Sequence, residues 1–126
     1  FIVGLPGSGK THLARKLQSE NPTAIVLDDP TAWSNTRDMV NNDRPLIIAD
    51  THLCVQANRL AATELIFDVR SDVRLTWIFF ENNVEAARAN VRLRNDGRDV
   101  GNTLDLYSRV YSPPIEKTIP IWRGDS

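Results

Sequence analysis

The segment Gly4-Leu5-Pro6-Gly7-Ser8-Gly9-Lys10-Thr11 limits the possible folds more than any other part of the chain. It satisfies G-x-x-x-x-G-K-[ST]. It stands between an apolar run, Phe1-Ile2-Val3, and a helix expected over 10–20 with Leu13 and Leu17 on one face. A chance match in a chain this long arises on the order of a few times per thousand. Strand, glycine turn and helix are the context in which such a loop cradles phosphate. Glycines let backbone N–H groups converge on an anion, and the helix start adds partial positive charge. Pro6 suits a preformed loop. On this reading Gly4, Pro6, Gly7, Ser8, Gly9, Lys10, Thr11 and His12 surround the phosphates of a nucleotide. Lys10 reaches the β- and γ-phosphates, and the Thr11 hydroxyl holds Mg²⁺. The alternative is a glycine turn at a helix start that binds nothing.

The rest of the chain reads as strands alternating with helices. Strands are expected over 23–27, 45–49 and 73–80, with a last one over 118–122 that Pro120 places at an edge. Residues 73–80 are apolar almost throughout, the pattern of a strand buried on both faces. Helices are expected over 31–40, 56–68, 83–94 and 103–111. In the second of these, Leu60 and Phe67 fall near helical spacing. In the third, Asn82 followed by Glu85 suggests a capping box. The alternation predicts an α/β fold: a doubly wound, mainly parallel five-stranded sheet with helices on both faces. Ligands of such sheets sit beyond the carboxyl ends of the strands, where Gly4, Asp28, Asp50 and Glu81 fall.

With 126 residues the chain is expected to form one domain with a substantial core. Fifteen basic against sixteen acidic residues give no global attraction to nucleic acid or membrane, so any polyanion site must be a local patch. One cysteine, Cys54, excludes an internal disulfide and fits a reducing cytoplasm. No apolar run approaches membrane-spanning length. The chain opens on Phe1 without a methionine, so residues upstream of it are expected.

Phosphoryl transfer needs a metal partner, a group that takes or orients the nucleophile's proton, and positive charge on the transferred oxygens. Asp50 follows four apolar residues, Leu46-Ile47-Ile48-Ala49, as a Mg²⁺-positioning carboxylate does; the alternative is an acid capping the next turn. Asp28 and Asp29 follow the second strand. Asp28 is placed to accept a proton, while Asp29, before Pro30, shapes a turn. Arg88, Arg92, Arg94 and Arg98 form a local basic strip with Gly97 as a hinge, the composition of a lid. The alternative is a solvated face paired to Glu85 or Asp96. Arg92 and Arg98 are the first choices from the residues alone. His52 reads as a polar turn residue, with orienting substrate as the alternative, Cys54 as a packed thiol, and Trp33 as a packing residue or a base-stacking one.

Taken together, residues 4–11, Asp28-Asp29, Asp50-Thr51-His52-Leu53 and Arg94-Asn95-Asp96-Gly97-Arg98 resemble the kinase domain of phage-type polynucleotide 5′-hydroxyl kinases, among the zeta-toxin-like P-loop kinases. The resemblance implies a doubly wound kinase fold, ATP with Mg²⁺, and the first acid of the pair, Asp28, as general base. It also implies catalytic lid arginines at Arg94 and Arg98. The chain departs from the pattern after the acidic pair, where Pro30-Thr31-Ala32-Trp33 stands in place of an arginine that contacts the acceptor's phosphate. The expected activity is transfer of the γ-phosphate of ATP to a hydroxyl acceptor on nucleic acid or nucleotide. A small-metabolite or nucleotide-sugar kinase is the alternative, and a non-catalytic nucleotide-binding module the alternative of another class.

Overall fold

The computed structural model describes residues 1–28, 40, 44–94, 101–114 and 117–121, and for Arg94 and Gly101 the backbone alone. Of the helix expected over 31–40 only Val40 is described; its other residues, with Trp33, the loop that carries Arg98, and Asp29 lie outside the described residues. Five strands form one sheet: β1 (Ile2–Val3), β2 (Ile25–Asp28), β3 (Leu46–Ala49), β4 (Ile78–Phe80) and β5 (Thr118–Ile119). Their order is β2-β3-β1-β4-β5, and each pairing is parallel. The helices are α1 (Lys10–Glu20), α2 (Gln56–Val69), α3 (Val84–Arg94) and α4 (Gly101–Val110), with a 3-10 turn at Thr51–Cys54. This is the doubly wound α/β arrangement expected from the alternation. The connections leave central β1 first toward β2 and β3 and then toward β4 and β5. That reversal opens a crevice at the carboxyl ends of the middle strands.

Alternate residues of β2 and β3 feed two apolar clusters, as the period of two requires. Val26 and Ile47 join Leu13 and Leu17 of α1 in the larger cluster, around Ile2, Val3, Leu53, Phe80 and Leu104. Leu27 and Ile48 join Ile66 of α2 and Val40 in the smaller. Leu13 and Leu17 thus occupy the core face that their spacing predicts.

Three local expectations change. The strand expected over 73–80 pairs only from Ile78. β1 pairs with it through Ile2 and Val3, level with Ile78 and Phe79. Arg74 and Thr76 are exposed between half-buried Val73, Leu75 and Trp77, a one-sided alternation and not a strand buried on both faces. In α2 the inward face is Ala62 and Ile66, while Leu60 is 60% and Phe67 42% exposed. Helical spacing found an apolar stripe, but the inward face is set by the clusters it joins, Ala62 with Leu53 and Cys54, and Ile66 with Ile48. The cap of α3 is Asn83, whose Oδ1 accepts from the Ala86 N–H. Asn82 instead donates to the carbonyls of Ser108 and Tyr111, tying β4's exit to the end of α4.

Tyr111 is the main polar staple of this core. It is 3% exposed, and its hydroxyl donates to the Phe80 carbonyl at 2.5 Å, with the Val3 carbonyl 3.4 Å away. Burial pushes its phenol well above the usual tyrosine range. Tyr111→Phe leaves the buried Phe80 carbonyl without this donor, which should cost about 1–3 kcal/mol of unfolding free energy. Urea denaturation checks this, and an unchanged midpoint would deny the hydroxyl any net role.

Candidate functional site

The 4–11 loop leaves β1 and turns into α1 through two glycines in the left-handed region, Gly7 at φ 82° and Gly9 at φ 105°. A side chain at Gly7 would drive into the Ala87 carbonyl of α3 and meet Val91 Cγ2 at 2.9 Å, so backbone strain and close packing both require glycine here. At Gly4 a Cβ would collide with Ser8 and approach Phe80 Cβ at 3.2 Å. The Ser8 N–H closes the turn onto the Leu5 carbonyl at 3.1 Å, and Asn90 of α3 donates to the Gly7 carbonyl at 2.8 Å. The loop is thus packed from below and braced from one side.

Its helix start has an unusual charge balance. Gly9 occupies the N-cap and supplies no capping side chain, and the first turn of α1 holds no acid. A helix begins with N–H groups that have no partner inside the helix, and they carry partial positive charge. Lys10 adds a full charge while only 6% exposed, its Nζ donating to the Leu5 carbonyl at 3.1 Å. Ser8 is completely buried and its Oγ has no hydrogen-bond partner among the described residues. Such a site suits an anion that accepts several hydrogen bonds. Pro6 lies half-buried in the same turn, and His12 projects from the first turn of α1 as an exposed side chain.

Beside the loop, β2 ends on one carboxylate and β3 leads directly into another. Asp28 stands level with Ala49, so Asp50 follows one residue beyond it on the adjacent strand. Asp28 Oδ2 accepts from Thr11 Oγ1 at 2.6 Å. With that proton committed, the hydroxyl's lone pairs remain as cation ligands. Asp50 is fully buried. Its Oδ1 accepts from the backbone N–H of His52 at 2.9 Å and lies 3.0 Å from His52 Nδ1. Its Oδ2 has no partner among the described residues, an unmet acceptor that a hard cation or its water would satisfy. Asp50 therefore does cap the following turn, and in doing so leaves one oxygen unused. Among the described residues no group of three or more His, Cys, Asp or Glu could hold a metal unaided. A Mg²⁺ at Thr11 and Asp50 would need ligand phosphates to complete its shell, as this ion commonly does.

The basic strip divides. Arg88 is bound to Asp105 of α4 at 2.5 Å and so clamps α3 to α4; Asp96 lies outside the described residues. Arg92 is exposed on α3, and Arg94 ends that helix. Arg98 lies outside the described residues.

Three contributors escaped the sequence reading. Asn90 is a polar residue in the apolar stripe of Ala86, Ala87 and Val91, and that misplacement was its only signal. Tyr111 and Arg59 gave none. Arg59 donates to the Leu53 and Cys54 carbonyls at 2.8 and 3.1 Å, satisfying the last carbonyls of the 3-10 turn, and lies 5.5 Å from the centre of the Phe79 ring.

Cys54 lies beneath this loop, fully buried. Desolvation pushes its thiol up to about 12, from 9.0, against the opposing pull of Lys10 and Arg59. The folded value is above the unfolded one, so this group's share of stability is intact below pH 9.0 and is lost as pH rises toward about 12. Over that window stability should fall by about 1.4 kcal/mol per pH unit from this thiol, and Cys54→Ala should flatten the slope. Ellman's reagent at pH 8 should label the thiol only after unfolding; prompt labelling of the native chain would contradict its burial.

Among the described residues no helix is long and apolar enough to cross a membrane. No protein-family model matches the chain. It is 32% identical over 115 residues to "Uncharacterized protein R277" of Acanthamoeba polyphaga mimivirus, an alignment covering 88% of this chain and 83% of the viral one. At that identity and coverage, the chain belongs to the same family as mimivirus protein R277.

Proposed function

We propose that the protein is an ATP-dependent phosphotransferase that moves the γ-phosphate of ATP to a hydroxyl on nucleic acid or a nucleotide. The observation that carries this reading is the meeting of an uncapped, acid-free helix start and a buried lysine with two carboxylates at one end of the sheet. An anion site alone serves many ligands. An anion site with Asp28 beside Thr11 and an unsatisfied Asp50 oxygen serves a triphosphate and its cation.

In this reading the loop amides and Lys10 hold the phosphates, and Thr11 and Asp50 hold Mg²⁺, which neutralises charge on the phosphate oxygens. The Thr11 hydroxyl fixes Asp28 through Oδ2, and Asp28 takes the proton of the incoming hydroxyl. The acceptor oxygen forms a bond to the γ-phosphorus, the bond to the β,γ-bridging oxygen breaks, and ADP leaves. Arginines of the lid, Arg92, Arg94 and Arg98, offset the charge that develops on the transferred group. A reducing cytoplasm suits a chain whose one thiol is buried.

Incubation with γ-labelled ATP, Mg²⁺ and a panel of 5′-hydroxyl oligonucleotides, hydroxymethylated DNA and nucleosides tests this directly. Asp28→Asn keeps an acceptor for Thr11 and should lower transfer by ~10²–10⁴ with ATP affinity retained. Lys10→Ala should lose ATP binding itself. Label on small metabolites alone would move the acceptor outside nucleic acid. Lys10-dependent ATP binding without transfer to any acceptor would make the protein a nucleotide-binding module.

A further inference from the structure

The opposite end of the sheet carries a cavity that the scheme above does not use. It lies where β3 begins, where α2 ends beside Arg70, and where residues 73–76 lead toward β4. These are the amino ends of the strands, away from the glycine loop. The cavity holds about 430 Å³, within the roughly 300–1,000 Å³ of small-molecule sites. Its floor is the smaller apolar cluster, with Val40, Ile48 and Ile66 buried and Leu75 half-buried beside them.

The rim has one sign of charge. Arg44, Arg70 and Arg74 line the cavity, and no Asp or Glu is among the described residues that do. Arg44 gives its Nε–H to the Thr23 carbonyl at 2.7 Å, which fixes the guanidinium through one of its five donors. Arg70 meets the exposed Asp72 at 3.4 Å through Nε and Nη2, longer than a usual charge-assisted bond. The exposed Arg74 side chain has no hydrogen-bond or ion-pair partner among the described residues. In a chain whose charges nearly balance, three arginines around an apolar hollow make a local positive field. Arginine stems can cover apolar surface, but so can lysine or a long neutral chain. What guanidinium adds is a planar fork that matches carboxylate or phosphate. We propose that this cavity binds an amphipathic small-molecule anion, a carboxylate or phosphate on an apolar body. The body rests on Val40, Ile48 and Ile66, and Arg44, Arg70 and Arg74 hold the head group. The site is separate from the phosphate loop and stands whether or not the kinase reading holds.

The test titrates decanoate, decyl phosphate and uncharged decanol into the isotope-labelled full chain, each below the concentration at which it aggregates, and follows backbone amides by NMR. At least one of the two anions should bind saturably, with shifts at 44–48 and 66–76, and the tighter of them identifies the head group. Decanol should bind about tenfold more weakly or worse, because it lacks the charge-assisted bonds. Arg70→Gln and Arg74→Gln leave the apolar floor intact. Each should weaken the better anion by on the order of tenfold and leave decanol unchanged. No saturable binding of either anion, decanol binding as tightly as they do, shifts confined to 4–11, or variants that bind the anion like wild type would each overturn the proposal.

Discussion

The entry into α1 is the constraint around which the molecule is arranged. Most helices satisfy their first N–H groups with a serine, threonine or acidic side chain. This one begins after a left-handed Gly9, with no side-chain cap, no acid in its first turn and a buried lysine at its first position. Those choices cost stability in isolation, because a glycine cap forgoes about a few tenths of a kcal/mol relative to a capping side chain and burying an ammonium is expensive. Packing from elsewhere sustains them. Ala87 and Val91 press on Gly7, Asn90 holds its carbonyl, and Leu5 lies wholly in the core. A site kept open against its own local preference is where function is expected to be found.

The sheet sets that local feature beside two strand-end carboxylates. Parallel pairing with Asp28 level with Ala49 puts the two carboxylates on neighbouring strands, and the central position of β1 sets the glycine loop beside them. The 3-10 turn after β3 extends the same edge. It buries Asp50, satisfies one of its oxygens from His52, and leaves the other unmet. Arg59 satisfies the last carbonyls of that turn, and Cys54 fills the space under the loop as an inert thiol.

Much of this was legible in the chain because it rests on local signals. The glycine pattern, the apolar run before it and the Leu13–Leu17 spacing fixed the first strand, loop and helix. The alternation of elements gave a parallel sheet of five strands. Acids directly after apolar runs marked Asp28 and Asp50. What escaped depends on contacts distant in sequence. The inner face of α2 is set by the clusters it joins, Ala62 with Leu53 and Cys54, and Ile66 with Ile48, so Leu60 and Phe67 misled. The partner of Arg88 sits 17 residues away on the next helix. The staple from Tyr111 to Phe80 spans 31 residues, and no periodicity encodes it.

The most direct measurement is a titration of the isotope-labelled protein with Mg·ATP, following backbone amide resonances by NMR. The account predicts the largest shifts at Gly7, Ser8, Gly9, Lys10 and Thr11, with downfield movement as their N–H groups turn toward phosphate, and their loss in Gly7→Ala. Amides of 4–11 that stay still at saturating Mg·ATP, or shifts that cluster elsewhere on the sheet, would contradict it.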